Sequence, residues 1–181
     1  MSNFYDSQLK NRNYLSPVGF KLVLAKKEKL DFFSSSATVP GLTLGTAIQP
    51  TPLRNIDVPG DELLFDDFTM EFLVDEDLKN YMVVQNWLRG LGFPEGYSEY
   101  GELIKDADGL QDRKLQYCDG SLHILNSNFR DIARVTFRDL FPVSLTPLQF
   151  TASDDDINYF TSTVTFKYTM YNIVDTSGNS L

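Results

Sequence analysis

The sequence predicts a mainly β, α+β domain, an antiparallel β-sandwich or barrel with one flanking α-helix. Three observations carry that expectation. Stretches in which every second residue is apolar recur along the chain, most clearly over 64–74, 132–138 and 158–171. Only one stretch, 75–91, repeats its apolar residues at helical spacing. Clusters of Gly, Pro, Asp and Asn separate these runs, as turn chemistry between antiparallel strands requires.

Size and composition bound the possibilities. A chain of 181 residues with 42% hydrophobic content can bury one core, so a single domain over 17–181 is expected, preceded by an arm at 1–16. No window approaches the roughly 18 uninterrupted apolar residues of a membrane span, and the polar start from Met1 to Lys10 is unlike a signal segment. Cys118 has no partner for an internal disulfide, and one His with one Cys cannot complete a structural zinc site. A net charge of −9 opposes nucleic-acid binding, which depends on Lys and Arg neutralising phosphates.

In chain order, the arm holds Phe4, Tyr5 and Tyr14 among polar residues and lacks a core of its own. Val18 to Leu24 and Phe33 to Val39 read as strands, followed by a turn at Pro40-Gly41. From 42 to 64, Pro50, Pro52, Pro59, Gly45 and Gly60 predict a long hairpin-like excursion with ragged strands. Leu64 to Val74 is the cleanest strand, with Phe68, Met70, Phe72 and Val74 on its core face. Asp75, Glu76 and Asp77 then suit the positive end of a helix macrodipole. That helix carries Leu78, Tyr81, Met82, Leu88 and Leu91 and stops at Gly90, Gly92 and Pro94. Residues 95–114 form an insertion with a short helix around Glu99 to Lys105. Strands resume from Leu115 to Leu125, with a bulge or turn at Asp119-Gly120, and from Ile132 to Arg138. The last strand, Asn158 to Tyr171, is expected to be the longest. Phe160, Val164, Phe166, Tyr168 and Met170 line one face of it, and a second face is mostly threonine and tyrosine.

Catalytic chemistry has little to build on. His123 lies on the strand face opposite Leu122 and Ile124, which reads as a surface or interface side chain. Cys118 beside Asp119 lacks the cationic surroundings that activate a thiol. The run Asp106-Ala107-Asp108-Gly109 with Asp112 has no Glu to close a calcium loop, and Asp154-Asp155-Asp156 reads as a solvated edge. No catalytic residue, metal or cofactor is therefore expected. Asp66, Asp67 and Glu71 form a carboxylate group on residue type alone.

The run Ile56-Asp57-Val58-Pro59-Gly60-Asp61 leads to Leu64-Phe65-Asp66-Asp67-Phe68 and a strand, then to Asp75-Glu76, then to a helix with Trp87. This order of features resembles that of the tail tube proteins of T4-like contractile-tailed phages. Ala37-Thr38-Val39-Pro40-Gly41 is similar to the early A-x-x-P-G turn of that family. The likeness covers the first half of the chain well. Residues 95–125 look longer than in the plain tube subunit, which keeps a tube initiator, terminator or tail completion protein open. The style is also similar to structural proteins of marine cyanobacterial myoviruses.

The resemblance implies a tube-like fold in a structural protein without enzyme activity. It implies hexameric rings, stacked within a sheath above a baseplate, through whose lumen DNA passes without specific binding. Such a protein belongs to the virion tail and to the host cytoplasm during assembly. On this reading the arm from Met1 to Ser16 and the excursion from Leu42 to Leu64 are inter-ring contacts, and Pro59, Gly60, Asp61, Phe65, Asp66 and Asp67 are subunit contacts. Two other classes stay open: a carbohydrate- or protein-binding sandwich using Tyr97 and Tyr100 as a platform, and an enzyme limited to Asp66 and Glu71.

Overall fold

Two antiparallel sheets face each other across one apolar core in the computed structural model, which describes residues 15, 19–25, 34–105, 108–151 and 159–180. The strands are β1 (Phe20–Leu24), β2 (Ser34–Thr38), β3 (Leu42–Pro50), β4 (Asn55–Phe65), β5 (Phe68–Leu73), β6 (Cys118–Leu125), β7 (Asp131–Leu145), β8 (Thr161–Lys167) and β9 (Met170–Asp175). Two helices, α1 (Lys79–Gly92) and α2 (Tyr97–Leu103), and a 3-10 turn (Arg113–Gln116) lie between β5 and β6. The strand order is β1-β6-β7-β8-β5-β2, with β9 on the other side of β7. The arm at 1–16 falls outside the described residues apart from the exposed Leu15.

The mainly β, antiparallel expectation holds, and several elements differ in detail. The longest strand is β7, not the last one. Its first part pairs with β6 and β9 and its end, Phe141 to Leu145, pairs with β8, so it passes from one sheet to the other. Asp139 in the left-handed region (φ 53°) and a register shift after Pro142 supply the bend. The run expected to form one last strand is instead β8 and β9, broken at Tyr168. Likewise, Leu64 to Val74 is not continuous: β4 ends at Phe65, Asp66 and Asp67 form a joint, and β5 begins at Phe68. The bulge expected near Asp119 is present, as a register shift between Cys118 and Gly120.

Alternation sets the core. Phe68, Met70 and Phe72 of β5 and Val164 and Phe166 of β8 meet Leu22, Leu24, Leu122, Val135 and Phe137 of the other sheet, all at most 2% exposed. Phe68 packs against Phe137 with ring centroids 4.6 Å apart. Trp87 of α1 closes one side, 6.2 Å from Phe166, and its Nε1–H donates to the Gln116 carbonyl at 2.9 Å.

Helix α1 starts later than its acidic prelude predicts. Leu78, at φ 56°, precedes it without a side-chain cap, and the first turn holds no acid. Asn80 does the joining instead. Its Oδ1 accepts from the Asp75 and Tyr81 amides at 3.0 and 2.8 Å, and its Nδ2 donates to the Leu73 carbonyl at 2.7 Å. The buried stripe is Asn80, Val84, Trp87 and Gly90, while Leu78 and Met82, read from spacing as core, are exposed. Trp87 outweighs them in setting the rotation, because its large ring needs the deepest site.

The short helix expected around Glu99 to Lys105 is α2, and it packs beside α1 as a second flanking helix. A Cβ on Gly90 would lie 2.9 Å from Leu103 Cβ, so glycine permits the approach. The Arg89 guanidinium bridges Glu95 and Glu99, each at 2.7 Å.

Candidate assembly interface

Strands β3 and β4 form a sheet of their own, a hairpin that leaves the body after β2 and returns before β5. Far from ragged, it pairs from Leu42 opposite Phe65 to Pro50 opposite Asn55, with one register shift between Leu44 and Thr46. Proline had argued against such order. Yet Pro50 sits at the end of β3, and Pro59 faces Thr46 where the shift relaxes the ladder. A Cβ on Gly60 would fall 2.6 Å from the Gly45 carbonyl oxygen, so glycine there is what lets the two strands close.

The hairpin is apolar without being buried. Leu42, Leu44, Ile48, Leu53, Leu63 and Leu64 are each 46% exposed or more, and Leu53 at the tip is 97% exposed. Leu42 with Phe65 and Leu44 with Leu63 are directly opposed, which puts four large apolar side chains on one face. The sandwich core is complete without them. So large an exposed apolar surface on an acidic protein makes the hairpin a candidate contact site.

The root of the hairpin is fixed to the body. Phe65 meets Tyr168 and Tyr171 edge-on, with centroids 6.2 and 5.9 Å away. The Tyr168 hydroxyl donates to the Asp66 carbonyl at 2.7 Å, and the Tyr171 hydroxyl donates to the Pro40 carbonyl at 3.0 Å. The Asp66 amide donates to the Gly41 carbonyl at 3.1 Å, and Lys167 Nζ lies 3.5 Å from Asp67 Oδ1.

Burial, then the charges of Tyr171, Asp66 and Asp67, push the Tyr168 hydroxyl up to about 12 from 10.0. A raised folded value means stability that is full below pH 10.0 and is lost as pH climbs towards about 12. Thermal melts across that window should therefore show a fall that Tyr168→Phe flattens. An unchanged alkaline slope in the variant would rule out Tyr168 as its source.

The six residues singled out from sequence divide in two. Pro59, Gly60 and Asp61 sit within β4, where Gly60 has a backbone role and Asp61 is exposed. Phe65, Asp66 and Asp67 sit at the root. Sequence reading took the 42–64 excursion as a contact element without singling out its apolar set Leu42, Leu44, Ile48, Leu53 and Leu63. Its signal was present as alternation on both sides of the tip, masked by attention to proline and glycine.

Other candidates resolve into ordinary roles. His123 Nδ1 lies 2.9 Å from Asp131 Oδ2, and Arg134 Nη2 lies 3.2 Å from the same oxygen. The bond from His123, more than Arg134, holds the Asp131 carboxyl below the usual carboxylate range. Cys118 is buried in the core. Tyr97 is exposed and stacks on Phe93, but Tyr100 turns towards Gln116, 3.3 Å from its Oε1, so the two do not make one flat platform. Glu71 is in register with Thr163 on the outer face of β5, while Asp66 lies beyond that strand's other end. Among the described residues no group of three His, Cys, Asp or Glu is placed to hold a metal. Asp106, Ala107 and the 154–156 run lie outside those residues. No helix among the described residues is long and apolar enough to cross a membrane.

Solved structures with a similar fold include the tube-terminating cap of the anti-feeding prophage (TM-score 0.60, 16% identity, 97% of this chain and 99% of that one). The sheath/tube terminator of the extracellular contractile injection system PVC is similar as well (0.61, 13%, 91% and 99%). So is a chain of the anti-feeding prophage baseplate (0.61, 10%, 91% and 97%). A search of curated proteins returned no match. The model of the phage tail tube protein family matches residues 1–174, beyond the first half that the motifs covered and through the 95–114 insertion. The chain thus belongs to the phage tail tube protein family, and it is a structural tail protein rather than an enzyme.

Proposed function

We propose that the chain forms hexameric rings that stack into the tube of a contractile phage tail, within a sheath and above a baseplate, as the conduit for DNA during ejection. One observation carries this reading: a hairpin with an exposed apolar face projects from a sandwich whose core does not need it. Stacking of rings buries that face. Among the described residues β1 and β2 each have a neighbour on one side only, and joining such edges around a ring removes them. The domain over 17–181 acts as one unit in this scheme. Pro59, Asp61, Phe65, Asp66 and Asp67 contribute to subunit contacts, with Gly60 shaping the hairpin.

The charge balance suits a conduit. Thr38, Thr69 and Thr165 form one cross-strand row on the outer face of β2-β5-β8, and Ser36, Glu71 and Thr163 form the next. These rows present hydroxyls and the Glu71 carboxylate, and Lys167 on the same face lies 3.5 Å from Asp67 Oδ1, which leaves a passing polyanion little to hold. The protein acts in the virion tail and is assembled in the host cytoplasm.

Electron microscopy with mass photometry over a concentration series tests the proposal. The wild type is expected to give rings and tubes with a central channel. A variant in which residues 49–54 are replaced by Asn-Gly should keep its melting temperature within about 3 °C, since the body does not rest on the tip, yet fail to stack. Long tubes mark a repeating subunit and single rings mark a tube initiator or terminator. Normal tubes from the shortened variant would refute the role of the hairpin.

A further inference from the structure

The body carries an open apolar hollow of about 690 Å³, lined by Leu73, Val74, Leu78, Phe150, Tyr159 and Phe160 with Asp75 and Glu76. Of its apolar lining only Val74 packs against the core cluster. Phe150 and Tyr159 are 74% and 81% exposed, and the Phe150 ring lies tilted against Phe160, with centroids 4.7 Å apart. The acids Asp75, Glu76 and Asp77 follow one another beside it, and Lys79, the cation next in the chain, is engaged by Asp77.

Its place in the fold identifies the occupant. Strand β5 runs from Phe68 to Leu73, and the hairpin is rooted just before its first residue. The hollow lies at its other end, where the Val74 amide donates to the Phe160 carbonyl at 2.8 Å. Six residues of strand separate the two poles by about 20 Å, and the nine residues of β3 give the hairpin a reach of about 30 Å. A projection at one pole and a hollow at the opposite pole is the geometry of a head-to-tail contact, which repeats without closing and so builds a stack. The tip has the matching chemistry. Leu53 is 97% exposed, and the neighbouring Arg54 is exposed too. An apolar side chain beside a cation fits an apolar floor beside acids.

We infer that the hairpin tip of one copy, Leu53 with Arg54, seats in the Leu73–Leu78–Phe150–Phe160 hollow of a second copy, with Arg54 against Glu76 and Asp75. The inference rests on the stacking proposed above and names its lock. Leu53 supplies buried apolar area. Arg54 supplies orientation and selects against any neighbour that presents a cation there.

Two experiments on the full chain test it. Charge reversal comes first. Arg54→Glu or Glu76→Arg alone should raise the concentration needed for stacking about tenfold or more, and the two together should restore it to within about threefold, as direct partners do. Additive damage in the double variant overturns the pairing. Second, Leu53→Cys with Leu78→Cys, oxidised after assembly, should give a ladder of crosslinked chains on non-reducing gels. Tubes that form normally without a ladder overturn this inference alone, and a wild type that stays monomeric overturns the stacking too. A ladder that appears only after deletion of residues 1–14 would show the arm, not the hairpin, as the natural occupant and also overturn it.

Discussion

Trp87→Ala is expected to destabilise the protein by about 3–5 kcal/mol, the usual cost of deleting a large aromatic from a packed core. Trp87 is 1% exposed and closes the side of the sandwich against Phe166. Its indole N–H is also the donor to the Gln116 carbonyl, which holds the 3-10 turn against α1. The change therefore opens a cavity and leaves that carbonyl without this donor. Against a total stability of about 5–15 kcal/mol, the loss takes the protein near its threshold, with a fall in melting temperature of about 10–20 °C. Trp87→Phe separates the two contributions, since it fills most of the hole but cannot donate. Its expected cost is about 2 kcal/mol, between the two limits. Denaturant titration of both variants decides the point, and a loss under about 1 kcal/mol for Trp87→Ala would show that α1 is not part of the core.

Asn80→Ala carries the second large effect, about 2–4 kcal/mol, for a different reason. Asn80 is 2% exposed and makes three hydrogen bonds, to the Asp75 and Tyr81 amides and the Leu73 carbonyl. Alanine loses all three and strands buried partners, where each unsatisfied group costs about 1–3 kcal/mol. Asn80→Asp tests the assignment more sharply. It keeps the acceptor for the amides but sets a carboxylate oxygen against the Leu73 carbonyl, which raises the acid's folded value. Stability should then recover as pH falls, because the protonated acid donates where the carboxylate cannot. An Asp variant as stable as wild type at neutral pH would contradict this geometry.

Much of the sandwich is legible because burial on a pleated surface imposes a period of two. Phe68, Met70 and Phe72, then Val135 and Phe137, then Val164 and Phe166 are placed by alternation alone, and each is at most 1% exposed. The one helix with a strong apolar period was found too, though its start and its rotation were not. The acids at 75–77 resemble a helix opening, but the chain begins its helix at Lys79, where the buried Asn80 can bond back to the end of β5. Nothing local in the sequence announces a cap supplied from inside the first turn.

Composition and alternation by themselves determined an antiparallel core, and the order of motifs from Ile56 to Trp87 pointed to the family that the match over residues 1–174 shows. Those features are local, set by propensity, period and spacing. Tertiary structure decided what depends on distant partners. It broke the 64–74 run at Asp66 and Asp67, because Tyr168 and Tyr171 anchor the hairpin root across more than a hundred residues of chain. It carried β7 from one sheet to the other, and it ordered the proline-bearing strands of the hairpin by placing Gly60 against Gly45. Above all it set the hairpin and the apolar hollow at opposite ends of β5, a relation no stretch of sequence encodes, because it arises only when the strands pair.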